Sequence, residues 1–302
     1  MFKSKWYNVL LILAIFMIII LWFKKQDLSP YYEGFSQDTP YLFVEGENIF
    51  DDFYAEIYNQ LMLPDKRCIF EIDKIIEMTA PSKQSTFLDI GSGTGEVCGK
   101  LTERGFDVYA LDTSQHMINY IEKNHPKVVG KCGNAKEAIT YEKGSFSHIL
   151  ATGMSIYLFE DKDEFLRNCF YWLKPGGYLI LHLVDREKFD PIVPGGKPPL
   201  LKNPQQYASS RISDTMIDFI DFKYRGKYDF SQLNDNKVKF IETFTDDLTK
   251  HVRQQETQYI MEPMDNILKQ ASFTGFIPHA QINMVEGCED EHQYLVVLER
   301  TQ

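Results

Sequence analysis

The chain is short of cationic charge and has no paired cysteine motif. Its 302 residues carry 32 Lys and Arg against 43 Asp and Glu, a net charge of −11. Binding through a broad basic face needs clustered Lys and Arg on phosphates, so no nucleic-acid partner is expected. The five cysteines (Cys68, Cys98, Cys132, Cys169 and Cys288) are odd in number, scattered, and form no C-x-x-C pair. Neither a zinc site nor a disulfide framework is suggested, and reduced thiols in a reducing compartment are the simplest reading. The chain also lacks an Asn-x-Ser/Thr sequon, an internal repeat and a low-complexity tract. What it does have is 44% apolar and 14% aromatic residues, ample for a hydrophobic core and far from the composition of a disordered tail.

One stretch holds no charge at all. Trp6 to Phe23 reads WYNVLLILAIFMIIILWF, with Lys3 and Lys5 before it and Lys24 and Lys25 after it. At about 1.5 Å per residue such a helix is roughly 27 Å long, enough for a hydrocarbon core. Trp6, Tyr7 and Trp22 stand where interfacial aromatics belong, and no small-x-small cleavage site follows. The expectation is one N-terminal transmembrane helix, residues 1–27 serving as a membrane anchor. The flanking lysines lean toward an outward-facing domain, whereas the unpaired cysteines lean toward a cytosolic one.

Residues 26–48 mix turn formers with aromatics and read as a linker. Two amphipathic helices follow, over 49–64 and roughly Arg67 to Met78. From residue 86 the pattern becomes strand–helix alternation, with strands at 86–91, 106–112, 127–132, 145–152 and 177–184 and helices near 95–104, 114–124 and 161–173. Such alternation means a mostly parallel sheet with right-handed crossovers. After residue 185 it stops. A Pro/Gly-rich loop, several antiparallel strands, a helix and two final strands complete the chain. The expected fold class is α/β, a Rossmann-like doubly wound, seven-stranded sheet with a β-rich lid insertion. Its parts are a helical cap (28–80), a cofactor-binding core (81–185), a substrate lid (186–262) and a closing helix with strands (263–302).

The densest chemical signal is FLDIGSGTG, residues 87–95. A hydrophobic strand ends in Gly-x-Gly-x-Gly and a helix starts directly after it, so the backbone turns tightly beside strand ends and a helix N-terminus. Asp112 ends the next strand, where a carboxylate accepts two hydrogen bonds from ribose hydroxyls. Dinucleotide folds space their glycines as G-x-G-x-x-G, which differs from the spacing here.

Residues 86–185 resemble the class I S-adenosylmethionine-dependent methyltransferases. The resemblance rests on DIGSGTG, LDTSQHM, CGNAKE, SFSHILATGMSIYLF and the turn LKPGGYLILHLV. It implies S-adenosyl-L-methionine as cofactor and direct displacement of its methyl group, with no metal. By position, Gly91, Ser92, Gly93 and Gly95 would lie along the methionine part and Asp89 near its amino group. Asp112 would hold the ribose, with Thr113 and Met117 beside the adenine. Asn134 stands where the family often has Asp on the adenine amino group, and Ala135 would pack on the ring. Thr152 and Gly153 would face the transfer site. Asp89 equally suits capping of the glycine loop, and Met117 ordinary helix core.

A general base matters only for a hydroxyl or protonated amine acceptor. His182 and Asp185, at the end of the fifth core strand, are candidates by position, though a buried, satisfied histidine suits that strand as well. Tyr157 is a candidate wall of the acceptor pocket, and Tyr54 and Tyr58 are candidates to close over the cofactor. Aromatics of the lid (Phe219, Phe222, Tyr224, Tyr228 and Phe230) suit either an apolar pocket or simple packing. ATGMSIY replaces the [DN]-P-P-[YF] tetrapeptide of adenine and glutamine methylation. A small-molecule or lipid-like acceptor is therefore expected, with a protein side chain or a silent cofactor-binding scaffold as alternatives. Because S-adenosylmethionine is made in the cytosol, the resemblance favours a domain on the cytosolic face of the membrane.

Overall fold

A computed structural model describes residues 10–19, 37, 39–197 and 203–301. It divides into two units, Met1–Asp38 and Thr39–Gln302. In the first unit, residues 10–19 form helix α1 with exposed side chains. The remainder of the expected span, residues 6–9 and 20–23, lies outside the described residues. Among the described residues no helix is long and apolar enough to cross a membrane.

The second unit holds two sheets. Core strands β2 (Thr86–Ile90), β3 (Asp107–Asp112), β4 (Val129–Cys132), β5 (Phe146–Ala151) and β6 (Leu173–Val184) run parallel, and β11 (Phe276–Asn283) and β12 (Gln293–Arg300) complete seven strands in the order β11-β12-β6-β5-β2-β3-β4. The pairing β2–β3, β2–β5, β3–β4 and β5–β6 is parallel, while β12 is antiparallel to both neighbours. β2 therefore has β3 on one side and β5 on the other, which is where strand order reverses and a crevice opens at the strand C-termini. The core packs Phe87, Val108, Ala110, Leu150 and Ile180 of the sheet against helices α3 (Asp65–Thr79), α4 (Glu96–Glu103) and α5 (Gln115–Asn124). Ile72, Ile75, Leu101, Ile118 and Ile121 are the apolar stripes these helices bury. Helices α6 (Lys162–Trp172) and α7 (Met264–Thr274) pack on each other.

The second sheet is the insertion. Strands β7 (Asp214–Asp218), β8 (Phe222–Asp229), β9 (Lys237–Asp246) and β10 (Val252–Ile260) form an antiparallel meander. Its fifth strand comes from the expected linker. Tyr41–Glu45 is strand β1, which pairs in parallel with β10, Tyr41 opposite Val252. A five-residue strand whose partner lies at the far end of the chain leaves no local hairpin signature.

Strict alternation gives this sheet a buried face of Phe222, Tyr224, Tyr228, Phe240, Glu242, Phe244, Arg253 and Gln255. Helix α2 (Asp52–Met62) lies on that face, with Phe53 edge-on to Phe244 at 5.2 Å between centroids. Glu242 is fully buried and accepts bonds from Tyr54 Oη at 2.8 Å, Tyr224 Oη at 2.9 Å and Gln255 Nε2 at 2.8 Å. Arg253 adds an ion pair to Asp51, the N-cap of α2, at 2.7 Å. Replacing the Glu242 carboxyl orphans three buried donors, each costing about 1–3 kcal/mol. Glu242→Ala is expected to lower unfolding stability by at least about 3 kcal/mol in denaturant titration, and Glu242→Gln, which keeps one acceptor oxygen, by clearly less.

Candidate functional site

A cavity of about 900 Å³ lies at the C-terminal ends of β2, β3 and β5, bounded by α2, the start of α3 and strands β9 and β10. The glycine turn forms its floor. Gly91 has φ +66°, and a Cβ there would stand 2.9 Å from Ser155 Cβ, so the turn closes only with glycine. Its N–H donates to Leu111 O at 2.8 Å, locking the turn to the end of β3. Ser92 Oγ, also in the wall, is buried and lacks a hydrogen-bond partner among the described residues.

Asp112 is the hinge of this floor. Gly93 N–H donates to its Oδ2 at 2.9 Å and Ser114 N–H to its Oδ1 at 3.0 Å. A carboxylate has about four lone-pair sites, and Thr113 N–H also approaches it, so part of its accepting capacity stays available to the cavity. Burial raises the Asp112 pKa, and the backbone N–H groups of Ser114, Gly93 and Thr113 oppose that rise. Asp89 is more deeply placed, 3% exposed, and accepts from the Cys98 thiol at 3.5 Å. Burial pushes its carboxyl up to about 7.

Helix α2 is tied to the same turn. Thr94 Oγ1 donates to Asn59 Oδ1 at 2.7 Å, and Asn59 Nδ2 donates to Glu96 Oε1 at 2.8 Å. Tyr54 and Tyr58 consequently stand in the cavity wall, ring centroids 5.7 Å apart. Burial raises both phenol pKa values, so both hydroxyls stay protonated near neutrality.

Asp89, Gly91, Ser92, Gly93, Asp112, Thr113, Met117, Asn134, Ala135, Thr152 and Gly153 all line this cavity. Gly95 does not; it precedes α4 with φ +78° and sits against Ile121. Asn134 Oδ1 accepts from Lys136 N–H at 3.0 Å, so its amide oxygen is already in use by its own loop.

The three residues expected to do acid–base or pocket work lie elsewhere. His182 is buried, its Nε2 bonded to Gln293 Oε1 at 2.9 Å and its Nδ1 3.8 Å from Glu71. Burial and the nearby Arg67 charge push its pKa down to about 3, and it does not reach the cavity. Asp185 caps Glu187 N–H at 3.1 Å and faces Lys188 at 3.5 Å. Tyr157 is fully buried, its Oη accepting from Val184 N–H at 3.0 Å, which staples the turn after β5 to β6. Strand alternation turns His182 away from the crevice, while Asp185 lies past the end of β6 and Tyr157 sits in the short helical turn after β5 with its hydroxyl spent on β6. Likewise Phe222, Tyr224 and Tyr228 pack within the lid, and Phe240 and Tyr259 reach the cavity instead.

Arg67, Lys239 and Tyr259 also line the wall, and sequence reasoning passed over all three. Arg67 opens an ordinary amphipathic helix, and alternation alone does not say which lid residues meet a ligand.

A parallel sheet with a tight glycine turn at its switch point, an acid on the adjacent strand and an unsatisfied hydroxyl between them defines a Rossmann-like protein that takes a nucleoside cofactor. The methyltransferase domain family matches residues 88–181. A biotin biosynthesis bifunctional protein of Cellvibrio japonicus is 32% identical over 101 residues, 33% of this chain and 20% of that protein. A ubiquinone biosynthesis O-methyltransferase of Caulobacter vibrioides is 31% identical over 112 residues, 35% of this chain and 44% of its own length. The crystal structure of an S-adenosylmethionine-dependent methyltransferase from Clostridium acetobutylicum shares the fold, with TM-score 0.62 at 17% identity over 82% of this chain and 98% of that one. Residues 88–181 thus match a methyltransferase domain, and S-adenosylmethionine is the cofactor named for the solved structure that shares the fold. The chain spans 20% and 44% of the lengths of these two curated relatives.

The residues present suit that cofactor: Ser92 Oγ and the spare Asp112 lone pairs are polar groups that the described residues leave unused. Asp89 supplies a test of the floor. Its carboxyl holds a proton in the folded chain from about pH 4 up to about 7, whereas in the unfolded chain that proton is lost near 3.8. Folding stability from this group is full below about pH 4, falls as pH rises, and levels off above about 7. The stability difference between wild type and Asp89→Asn, followed by thermal unfolding of the cofactor-free protein, is expected to drift against wild type over that window and to stay flat above it.

Proposed function

We propose that the whole chain is an S-adenosylmethionine-dependent methyltransferase acting on a small-molecule acceptor. The observation that carries this reading is the Asp112 carboxylate, oriented by Gly93 and Ser114 with free lone pairs toward the cavity. In it Asp112 binds the ribose hydroxyls, Ser92 and Asp89 bind the methionine portion, and Met117 and Ala135 flank the adenine. The sulfonium methyl group of the bound cofactor supplies the reactivity, so the chain's own work is position and exclusion of water. No histidine is among the described residues lining the cavity, and its tyrosines stay protonated. That favours acceptors whose nucleophilic atom needs no strong protein base.

The size of the cavity supports a small acceptor. About 900 Å³ is within the range of pockets for single small ligands, and the cofactor occupies much of it. Strands β9 and β10 close one side, which disfavours a folded protein substrate. The ubiquinone O-methyltransferase among the relatives acts, by its name, on a small molecule, which agrees with this reading. The uninterrupted apolar run Trp6–Phe23 supports a further element of the proposal, attachment to a membrane with a lipid-like acceptor within reach, and the scattered, unpaired cysteines support a domain on the cytosolic side.

Calorimetry with S-adenosylhomocysteine tests the core of the proposal. Wild type is expected to bind it, and Asp112→Ala to lose about 1–3 kcal/mol, roughly fivefold to 150-fold in affinity. Unchanged affinity in the variant would remove Asp112 from the site. The full chain is expected to stay with membranes through alkaline carbonate washing, and its domain to be digested by protease added to the cytosolic side of sealed vesicles. Release into the wash would end the anchor proposal.

A further inference from the structure

Turns between strands ordinarily carry Gly, Asn, Asp or Ser at their tips. At one end of the lid sheet, two of them present large apolar side chains instead. The β7–β8 turn, residues 219–221, holds Ile220 at 67% exposed, and the β9–β10 turn, residues 247–251, holds Leu248 at 93% exposed. Asp247 N–H donates to Asp221 O at 3.0 Å, so the turns stand side by side. Tyr41, 53% exposed, starts β1 at the same end, since β1 runs parallel to β10 and Val252 N–H donates to Pro40 O at 2.9 Å.

Both turns are held by their own hydrogen bonds. Asp246 Oδ1 accepts from Leu248 N–H at 2.8 Å and Thr249 N–H at 2.6 Å, and Phe219 N–H donates to Phe222 O at 2.9 Å. Phe219 itself stacks on the buried Phe222 at 4.5 Å between centroids, which leaves Ile220 as the exposed apolar group of its turn.

Single exposed apolar residues are ordinary on a protein surface, so what precedes these three in the chain decides what they meet. Fifteen residues, 24–38, join Phe23, the last of the uncharged run, to Thr39, which leads directly into Pro40 and Tyr41. However they run, fifteen residues reach at most about 50 Å. With the apolar run in a membrane, a surface so tethered meets the bilayer at an effective concentration on the order of millimolar, enough to populate a weak contact. Charge at the same end sets the kind of surface. Asp218, Asp221, Asp246 and Asp247 outnumber Lys223 and Lys250, and Lys250 is paired with Asp247 at 3.7 Å. Anionic headgroups attract basic segments, so this excess of carboxylates disfavours them.

We propose that this end of the lid sheet is a bilayer-contacting edge. Ile220 and Leu248 enter the boundary between headgroups and acyl chains of an electrically neutral membrane, with Tyr41 at the headgroup level. This rests on the membrane attachment proposed above and adds a second, reversible contact made by the folded domain. Two points of attachment give the tethered domain one orientation on the surface in place of free swing.

The test uses the full chain reconstituted in phosphatidylcholine vesicles, with tryptophan emission quenched by brominated lipid. Trp6, Trp22 and Trp172 are a constant background, and the quantity read is the emission that Ile220→Trp or Leu248→Trp adds to it. As a control, Ile139→Trp places the probe at a site 92% exposed on the core, between β4 and β5. Added emission at 220 and 248 is expected to be quenched at least about threefold more than at 139, because only the first two sites enter the acyl boundary. Replacing part of the phosphatidylcholine by phosphatidylserine is expected to weaken that quenching. Quenching at 220 and 248 no greater than at 139, in a chain that still floats with the vesicles, overturns the edge and leaves the anchor standing. Quenching that grows with phosphatidylserine also overturns it, as the contact would then be electrostatic. So does a blue shift without quenching, which assigns the patch to a second copy of the chain. The two substituted turns are separate, so one variant decides if the other fails to fold. A wild-type chain that does not float with vesicles strikes the membrane attachment itself, and the edge with it.

Discussion

Backbone N–H groups of Gly93 and Ser114 share the carboxylate of Asp112, and three pieces of chain meet through it. One is the glycine turn after β2, another is the end of β3, and the third is the entry to α5, whose N-cap is Ser114. The end of β3 and the entry to α5 are adjacent in the chain, but the glycine turn, 19 residues earlier, has no local reason to sit beside them. The carboxylate supplies that reason, and the parallel pairing of β2 with β3 brings its donors within reach. A ligand arriving at the remaining lone pairs meets acceptors that are already oriented, so little ordering is left to oppose binding.

The same economy recurs where the lid meets the core. Helix α2 faces two ways: Tyr54 bonds Glu242 of the lid, while Asn59 bonds Thr94 and Glu96 of the glycine turn. Arg253 joins the lid to the N-cap of that helix through Asp51. Polar groups as buried as Glu242 add little net stability when satisfied but are costly when misplaced. Their role here is to allow one docking of the lid sheet on α2, and with it one shape of cavity.

How much of this was legible in the sequence depended on distance along the chain. Gly91, Asp112 and the strand–helix alternation announce themselves within a few residues, because turn chemistry and periodicity are local. The two-sheet architecture followed from where alternation stopped. Other features depend on partners far away in sequence. β1 is a strand only because β10 offers it an edge. Arg67 looks like any polar residue in the first turn of a helix until Gly153 is brought beside it. His182 shows the converse: its place near a strand end left both chemistry and a buried, satisfied ring open, and pleating sent the ring toward Glu71 and Gln293. Position along an element was readable, and the direction of a side chain was less so.

The parallel pairing of β1 with β10 has a temporal consequence. Strand β1 emerges from the ribosome before any of the core sheet, yet its partner is made only when most of the chain exists. During synthesis the parallel core can assemble around β2, β3 and β5 while β1 waits with an unsatisfied edge. Since β9, β10 and the segment following β1 all contribute to the cavity wall, the cavity cannot close before β10 has been made. A chain truncated ahead of β9 would retain the glycine turn while lacking an enclosed site.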